Sequence, residues 1–420
     1  MVRRAGPERP AAGAGGGVLP RHAAGLLARS LRVMPVTVVT GARQTGKTTL
    51  VGRLVPGRRR MVSLDDLDAL DLARSDPEAL LGGGRQLTLD EVQRAPQLLH
   101  AVKRLVDRDR RPGRFLLTGS ANLLLMRRVS ESLAGRAAYL TLWPMARGEL
   151  LGEGRAGAWD LLLREPPQAW PDALARRGAP PGDWRELARR GGFPVPALEL
   201  RSASDRRLWF EGYVRSYLER DLLELSSVGS LPDFRRLMRA VCLQVGQMLN
   251  QSALGRALGL PQPTVHRWLN LLEASYLLVR LPAYAANRRK RLVRSPKAYW
   301  ADTGLALHLA GAGRPDGPHL ENLVLHDLLV WRDGHEERVE LAYWRTVTGE
   351  EVDFVIERSG TTLAVEVKAA TRPRLRDAAG LLAFRREHGG RVHGALLLHG
   401  GRELAWLAEG VLAAPWWMVL

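Results

Sequence analysis

Apolar residues recur along this chain with different rhythms in different stretches. Up to about residue 150, short continuous apolar runs alternate with segments of helical period. The runs at 36–40, 60–64, 86–89, 115–118 and 138–142 predict strands. The periodic segments at 48–54, 67–81, 98–106 and 123–133 predict helices. Strands that alternate with helices predict a parallel sheet covered on both faces. Between residues 151 and 204 the rhythm fails, and Pro, Gly and Trp crowd together (Glu165-Pro-Pro, Ala179-Pro-Pro-Gly, Gly191-Gly-Phe-Pro). That stretch reads as a lid or linker with short helices. Residues 205–310 are mainly helical, and the last hundred residues return to strands of period two.

Composition adds a charge to this picture. The 420 residues carry 62 Lys and Arg against 44 Asp and Glu, a formal net charge of +18, with an ordinary 45% apolar fraction. Such a balance suits an anionic partner, nucleic acid first, and it equally suits a genome that favours Arg, Ala and Gly. Lysine is scarce: only Lys47, Lys103, Lys290, Lys297 and Lys368. A compact ammonium does what a planar guanidinium cannot, so a retained Lys in an Arg-rich chain is a signal. Cys242 is the single cysteine, which leaves no disulfide framework and no zinc site within one chain. Residues 1–20 read as a disordered tail. No apolar run is long enough for a membrane span, so a cytoplasmic location is expected.

The strand at 36–40 runs into Gly41-Ala42-Arg43-Gln44-Thr45-Gly46-Lys47-Thr48, followed by Thr49 and a helical segment. This is a complete G-x-x-x-x-G-K-[ST] phosphate loop between a strand and a helix. Its glycines let backbone N–H groups turn around the phosphates, Lys47 reaches the terminal phosphates, and Thr48 serves Mg²⁺. ATP and Mg²⁺ are the expected cofactors. The strand ending at Leu89 delivers Asp90 for the magnesium and Glu91 as general base for an attacking water. An acidic helix cap is the bland alternative. Thr118, Ser120 and Asn122 at the end of the fourth strand are candidate sensors of the terminal phosphate, or ordinary turn residues. Arg136 is a candidate phosphate-contacting arginine.

In the middle, 251–259 reads as a short helix ending in Gly, then a turn, then a helix over 264–274 whose Val265, Trp268, Leu269 and Leu272 share one face. His266, Arg267 and Asn270 then face outward. This is the spacing of a helix-turn-helix, followed by a strand and a basic run containing Arg288, Arg289, Lys290 and Arg291. The run suits a wing that neutralises DNA phosphates, or a solvated hairpin. Near the C-terminus, Glu321 opens a helix, Asp353 lies on one strand, and Glu366 and Lys368 share a face of the next. Carboxylates gathered this way suit Mg²⁺, with Asp353 and Glu366 metal-bound and catalytic and Lys368 stabilising developing charge at a phosphodiester. A half-exposed charged sheet face is the alternative.

These motifs together resemble a prokaryotic family of uncharacterised AAA-type ATP-binding proteins, through Gly41–Thr48, Leu89-Asp-Glu-Val-Gln93, Leu117-Thr-Gly-Ser120, Glu351-Val-Asp-Phe354 and Glu366-Val-Lys368. Gly191-Gly-Phe-Pro and Tyr217-Leu-Glu-Arg-Asp221 are similar too. The resemblance implies an α/β chain of the AAA type with a restriction-endonuclease-like C-terminal part, in which Glu321, Asp353, Glu366 and Lys368 take the metal and catalytic places. The expected division is a tail at 1–20, a P-loop ATPase domain at 21–150, a lid or linker at 151–204, a winged-helix-like domain at 205–310 and a nuclease-like domain at 311–420. The expected function couples ATP hydrolysis to nucleic-acid binding and metal-dependent cleavage. The alternative is an ATP-dependent DNA- or protein-binding regulator or defence switch whose nuclease-like part is silent. Self-association and a protein partner are left open.

Overall fold

A computed structural model describes residues 18–55, 59–83, 86–119, 133–178, 180–219, 230–285 and 295–420. In its first part, five strands form one parallel sheet in the order β2 (Arg60–Ser63), β3 (Leu87–Asp90), β4 (Phe115–Thr118), β1 (Val36–Thr40) and β5 (Ala137–Thr141). β1, β3 and β4 are apolar runs buried at every position, as a parallel sheet covered on both faces demands. Helix Ala23–Val33 packs its Ala23 and Leu27 against one face. Helix Leu98–Arg108 and the pair Leu67–Ser75 and Pro77–Leu81 cover the other. Pro77 supplies no backbone N–H, so the single helix expected over 67–81 breaks there, and Asp76 caps the second piece. β4 lies between β1 and β3, so the phosphate-loop strand and the acidic strand are not neighbours. The helix expected over 123–133 falls mostly outside the described residues.

The segment read as a lid or linker with short helices does form short helices, and they are packed into the core. Its Trp159, Trp170 and Trp184 are among the largest fully buried side chains of the molecule. The Trp159 indole donates to Asp327 Oδ1 at 2.6 Å, and Ala158 N bonds Val419 O at 2.7 Å. Short helices anchored by tryptophans thus join one large core with the middle and C-terminal parts. Large aromatic anchors bury much area per residue, so irregular, Pro-broken backbone is stable here.

The middle part holds helices Leu231–Cys242, Gln251–Leu258 and Gln262–Ala274, then an antiparallel ribbon of β6 (Leu278–Leu281) and β7 (Lys297–Trp300). Val265, Trp268, Leu269 and Leu272 are all buried, as the period requires. Helix Thr303–Ala310 leads to helix Gly317–Asp333 and a six-stranded mixed sheet. Its strands are β8 (Val339–Arg345), β9 (Glu351–Arg358), β10 (Thr361–Lys368), β11 (Val392–His399), β12 (Ala405–Ala408) and β13 (Val411–Pro415), ordered β12-β13-β11-β10-β9-β8. Among the described residues no helix is long and apolar enough to cross a membrane.

Candidate functional site

The phosphate loop adopts its turn through three left-handed residues, Gly41 (φ 140°), Gln44 (φ 60°) and Gly46 (φ 93°). A side chain at Gly41 would meet Leu142 O at 2.2 Å, so glycine is required by contact as well as by φ. Ala42, Thr45 and Lys47 are buried, whereas Arg43, Gln44, Thr48 and Thr49 are exposed on the open side of the loop. Thr45 Oγ1 closes the loop onto Ala42 O at 3.0 Å. The Lys47 ammonium folds back on the loop and donates to Ala42 O at 2.8 Å and Gly41 O at 3.2 Å. Burial lowers its pKa to about 8, opposed by Glu91 and Asp90. An anion in the loop would favour the charged ammonium further.

Asp90 is buried and doubly held. Its Oδ2 accepts from Thr48 Oγ1 at 2.8 Å and its Oδ1 from Thr118 Oγ1. Strand order explains this meeting, because β4 carries Thr118 into the gap between the phosphate loop and Asp90. Thr48 and Asp90 therefore present adjacent oxygens, a donor set that suits Mg²⁺ beside a phosphate. Glu91 stands in the left-handed region (φ 57°), unusual for a non-glycine residue, and accepts a bond from the Gln93 amide. Ser120 and Asn122 lie outside the described residues.

Arg136 is not a phosphate contact of its own chain. Its carbonyl accepts from Val36 N, at the start of β1, and its guanidinium bonds Asp107 at 2.5 Å. The phosphate loop leaves the other end of β1, roughly 16 Å away at the rise of a five-residue strand. The parallel pairing of β1 with β5 fixes that separation.

The arginine that does brace the loop is Arg21, which the sequence reading passed over. It donates to Thr45 O at 2.8 Å, Trp143 O at 2.7 Å and Glu149 Oε1 at 3.1 Å. All three partners lie far from it in sequence, so no local pattern marks it. Tyr276 was missed for the same reason. It follows helix Gln262–Ala274, holds a left-handed φ of 56°, and its hydroxyl meets Thr40 Oγ1 at 2.9 Å, one residue before the phosphate loop. Trp143 packs edge-on against its ring at 5.9 Å.

On helix Gln262–Ala274, His266 and Arg267 are exposed and Asn270 is half-buried. His266 and Asn270 are not free donors. His266 Nδ1 pairs with Gln251 Oε1 at 3.1 Å and Nε2 with Asn270 at 3.0 Å, and Arg280 bonds both Asn270 (2.7 Å) and Glu273. Arg288, Arg289, Lys290 and Arg291 lie outside the described residues.

The C-terminal residues gather with one addition. The pairing of β8 with β9 slips between Ala342 and Trp344, which face Val355 and Val352. Tyr343 therefore opposes both Asp353 and Phe354, as in a β-bulge, and strict alternation fails there. Val352 joins the core of Val355, not that of Phe354 and Ile356 as period two predicts. Asp353 is turned instead toward β7. There Lys297, 2% exposed, places its ammonium 3.0 Å from Asp353 Oδ1 and 3.0 Å from Glu321 Oε1, and pairs with Glu351 as well. Tyr299 OH also donates to Glu321, and Asp353 Oδ2 accepts from Val367 N at 2.9 Å. Burial disfavours the charged lysine, but Asp353, Glu321 and Glu351 outweigh it and raise its pKa. Burial first, and then the Asp353 charge, raise the Glu321 pKa to about 8 despite Lys297. Glu366 Oε1 takes Lys368 Nζ at 2.5 Å, while its Oε2 is buried without a partner.

The expected ligand set of Glu321, Asp353 and Glu366 thus does not fit a shared divalent ion as it stands. Lys297 holds two of the three, and no group of three or more Asp, Glu, His or Cys among the described residues is arranged to hold a metal. Lys297 was findable: it is one of five lysines in the chain.

Three family models match parts of the chain. Residues 34–151 match the model of an AAA domain, 181–316 a domain of unknown function (DUF8612), and 316–419 another (DUF4143). Uncharacterised proteins of Mycobacterium tuberculosis and Mycobacterium bovis are each 34% identical over 363 residues, 84% of this chain and 74% of theirs. A solved Walker-type ATPase of Pyrococcus abyssi aligns over 70% of this chain and 99% of its own, at 16% identity and a TM-score of 0.44. The chain belongs to the same family as the mycobacterial proteins, and its N-terminal part is an AAA-type P-loop ATPase domain.

Proposed function

We propose that this protein is an ATP-hydrolysing switch whose nucleotide state controls nucleic-acid binding by its middle part. In this reading Gly41–Thr49 cradle the phosphates, Lys47 leaves the loop carbonyls for the terminal phosphates, and Thr48 and Asp90 would hold a Mg²⁺ ion, which would supply charge neutralisation to the phosphates. Glu91 orients and deprotonates the attacking water, and Thr118 keeps Asp90 aligned. Arg21 holds the loop in its turned form.

The observation that carries the coupling is the bond between Thr40 Oγ1 and Tyr276 OH, 2.9 Å long. It ties the residue before the phosphate loop to the residue two beyond helix Gln262–Ala274. That helix, with the ribbon β6–β7, supports the winged-helix reading, and Arg267 faces solvent from it. The network of Gln251, His266, Asn270 and Arg280 fixes the exposed face. The test is DNA affinity, measured with and without ATP over a salt series, for the wild type and Tyr276→Phe. Wild-type affinity falls with salt and changes with ATP. The variant hydrolyses ATP but shows no ATP-dependent change. A variant that keeps the full response breaks the proposed link.

The C-terminal part supports a second reading, cleavage of a phosphodiester by a restriction-endonuclease-like unit. Its specific support is the unpartnered Glu366 Oε2 beside Lys368. Mn²⁺-dependent nicking of plasmid that vanishes in Lys368→Ala would favour it, and equal or absent nicking in both proteins favours the silent unit.

A further inference from the structure

Lys297 belongs by sequence to the ribbon of the middle part, yet its ammonium is buried against the C-terminal carboxylates. A buried ammonium has three N–H donors and no acceptor, and each unpaired donor is costly. Here three separate carboxylates meet it: Glu321 from helix Gly317–Asp333, and Glu351 and Asp353 from β9. The remaining oxygens are largely engaged. Asp353 Oδ2 takes Val367 N, and Arg345 approaches Glu351 Oε2 at 3.3 Å. On the far side of Glu321 the backbone closes in at Gly246, where an added Cβ would stand 3.1 Å from Oε2.

A divalent ion binds carboxylate oxygens at about 2.0–2.6 Å. An ion shared by Glu321 and Asp353 would have to occupy the space that the Lys297 ammonium already fills. Two cations cannot share one such space. Three carboxyl groups surround this one ammonium, so with Lys297 removed the emptied centre would offer their oxygens to a doubly charged ion. A second observation points the same way. Glu366 is 6% exposed and its Oε2 lacks any partner.

We infer that Lys297 is a tethered cation that holds Glu321, Glu351 and Asp353 in place of a divalent metal ion, locking the ribbon of the middle part to the C-terminal sheet and closing these carboxylates to metal. The inference concerns a site remote from ATP chemistry, and it stands or falls separately from the proposed switch.

The test is Mn²⁺ binding to the full chain without nucleotide, followed by the electron-paramagnetic-resonance signal of free Mn²⁺. The proteins are the wild type, Lys297→Ala, Lys297→Gln, Glu321→Gln and the double variant Lys297→Ala/Glu321→Gln. Lys297→Ala is expected to bind one Mn²⁺ per chain at least about tenfold more tightly than the wild type, since the ion replaces a lost full charge. Mn²⁺ should raise its melting temperature and leave that of the wild type unchanged, and the double variant should lose the gain. A folded Lys297→Ala or Lys297→Gln that binds Mn²⁺ no more tightly than the wild type overturns the inference. Should neither variant fold, the wild type decides. A nucleotide-independent Mn²⁺ ion that Glu321→Gln abolishes overturns the inference, and the absence of such an ion upholds it.

Discussion

Lys47 and Lys297 are both buried ammoniums among oxygen atoms, but they are held in opposite ways. Lys47 rests on two backbone carbonyls of its own loop. Lys297 sits among three carboxylates from two other elements. Carbonyls offer partial charge, so a phosphate outcompetes them and the Lys47 contacts are transferable. Full carboxylate charges in a buried place are not readily given up. The low pKa of Lys47, about 8, and the raised pKa of Lys297 express the same contrast. In the proposed function the first cation is free to move to a phosphate, and in the inference above the second is not.

The sharpest way to break this comparison is to remove each lysine in turn. Lys47→Ala should lower ATP hydrolysis by about a hundredfold or more while the fold persists, because its partners are carbonyls that other donors or water can satisfy. Phosphate release and thermal melting, measured together, check this. Should the variant melt far below the wild type, Lys47 is structural too and the contrast collapses.

Lys297→Met should behave in reverse. Leaving buried carboxylates without their cation costs about 3–5 kcal/mol of stability, read by urea denaturation. ATP turnover per folded molecule should stay near the wild-type value. A variant of unchanged stability would show that the carboxylates are satisfied without the lysine.

A smaller effect tests the seam between the two regions. His326, on the same helix as Glu321, bonds Pro144 O just beyond β5 at 3.0 Å. Burial lowers its pKa from 6.5 to about 4. The unfolded chain therefore binds a proton, as pH falls below 6.5, that the folded chain refuses. Stability should drop by about 2 kcal/mol between pH 7 and pH 5 from this group. His326→Gln keeps a donor for Pro144 O but cannot titrate, so its stability should vary less over that window. Parallel curves for variant and wild type would remove His326 from the seam.

Much of the first part was legible in sequence because its signals are local. A parallel strand buried on both faces must be a short apolar run, so Val36–Thr40 and Phe115–Thr118 could be read to the residue. The segment 151–204 misled because Pro and Gly argue for loops, while its tryptophans act through distant partners such as Asp327. Period two fails around Asp353 because of the bulge, which sends Val352 to the core of Val355, since alternation holds only where register is unbroken. Arg136 misled because a strand has two ends and composition does not say which one a residue occupies.

The sequence alone therefore determined the phosphate loop, the acidic pair at the end of β3, the strands of the first sheet, and the identity of the carboxylates near the C-terminus. These depend on residue type and on spacings of a few positions. Tertiary structure decided which charges meet: Arg21 with the phosphate loop, Tyr276 with Thr40, and Lys297 with Glu321, Glu351 and Asp353. Electrostatic pairing depends on distance in space, and separations of 24 to 236 residues along the chain leave no periodic trace of it.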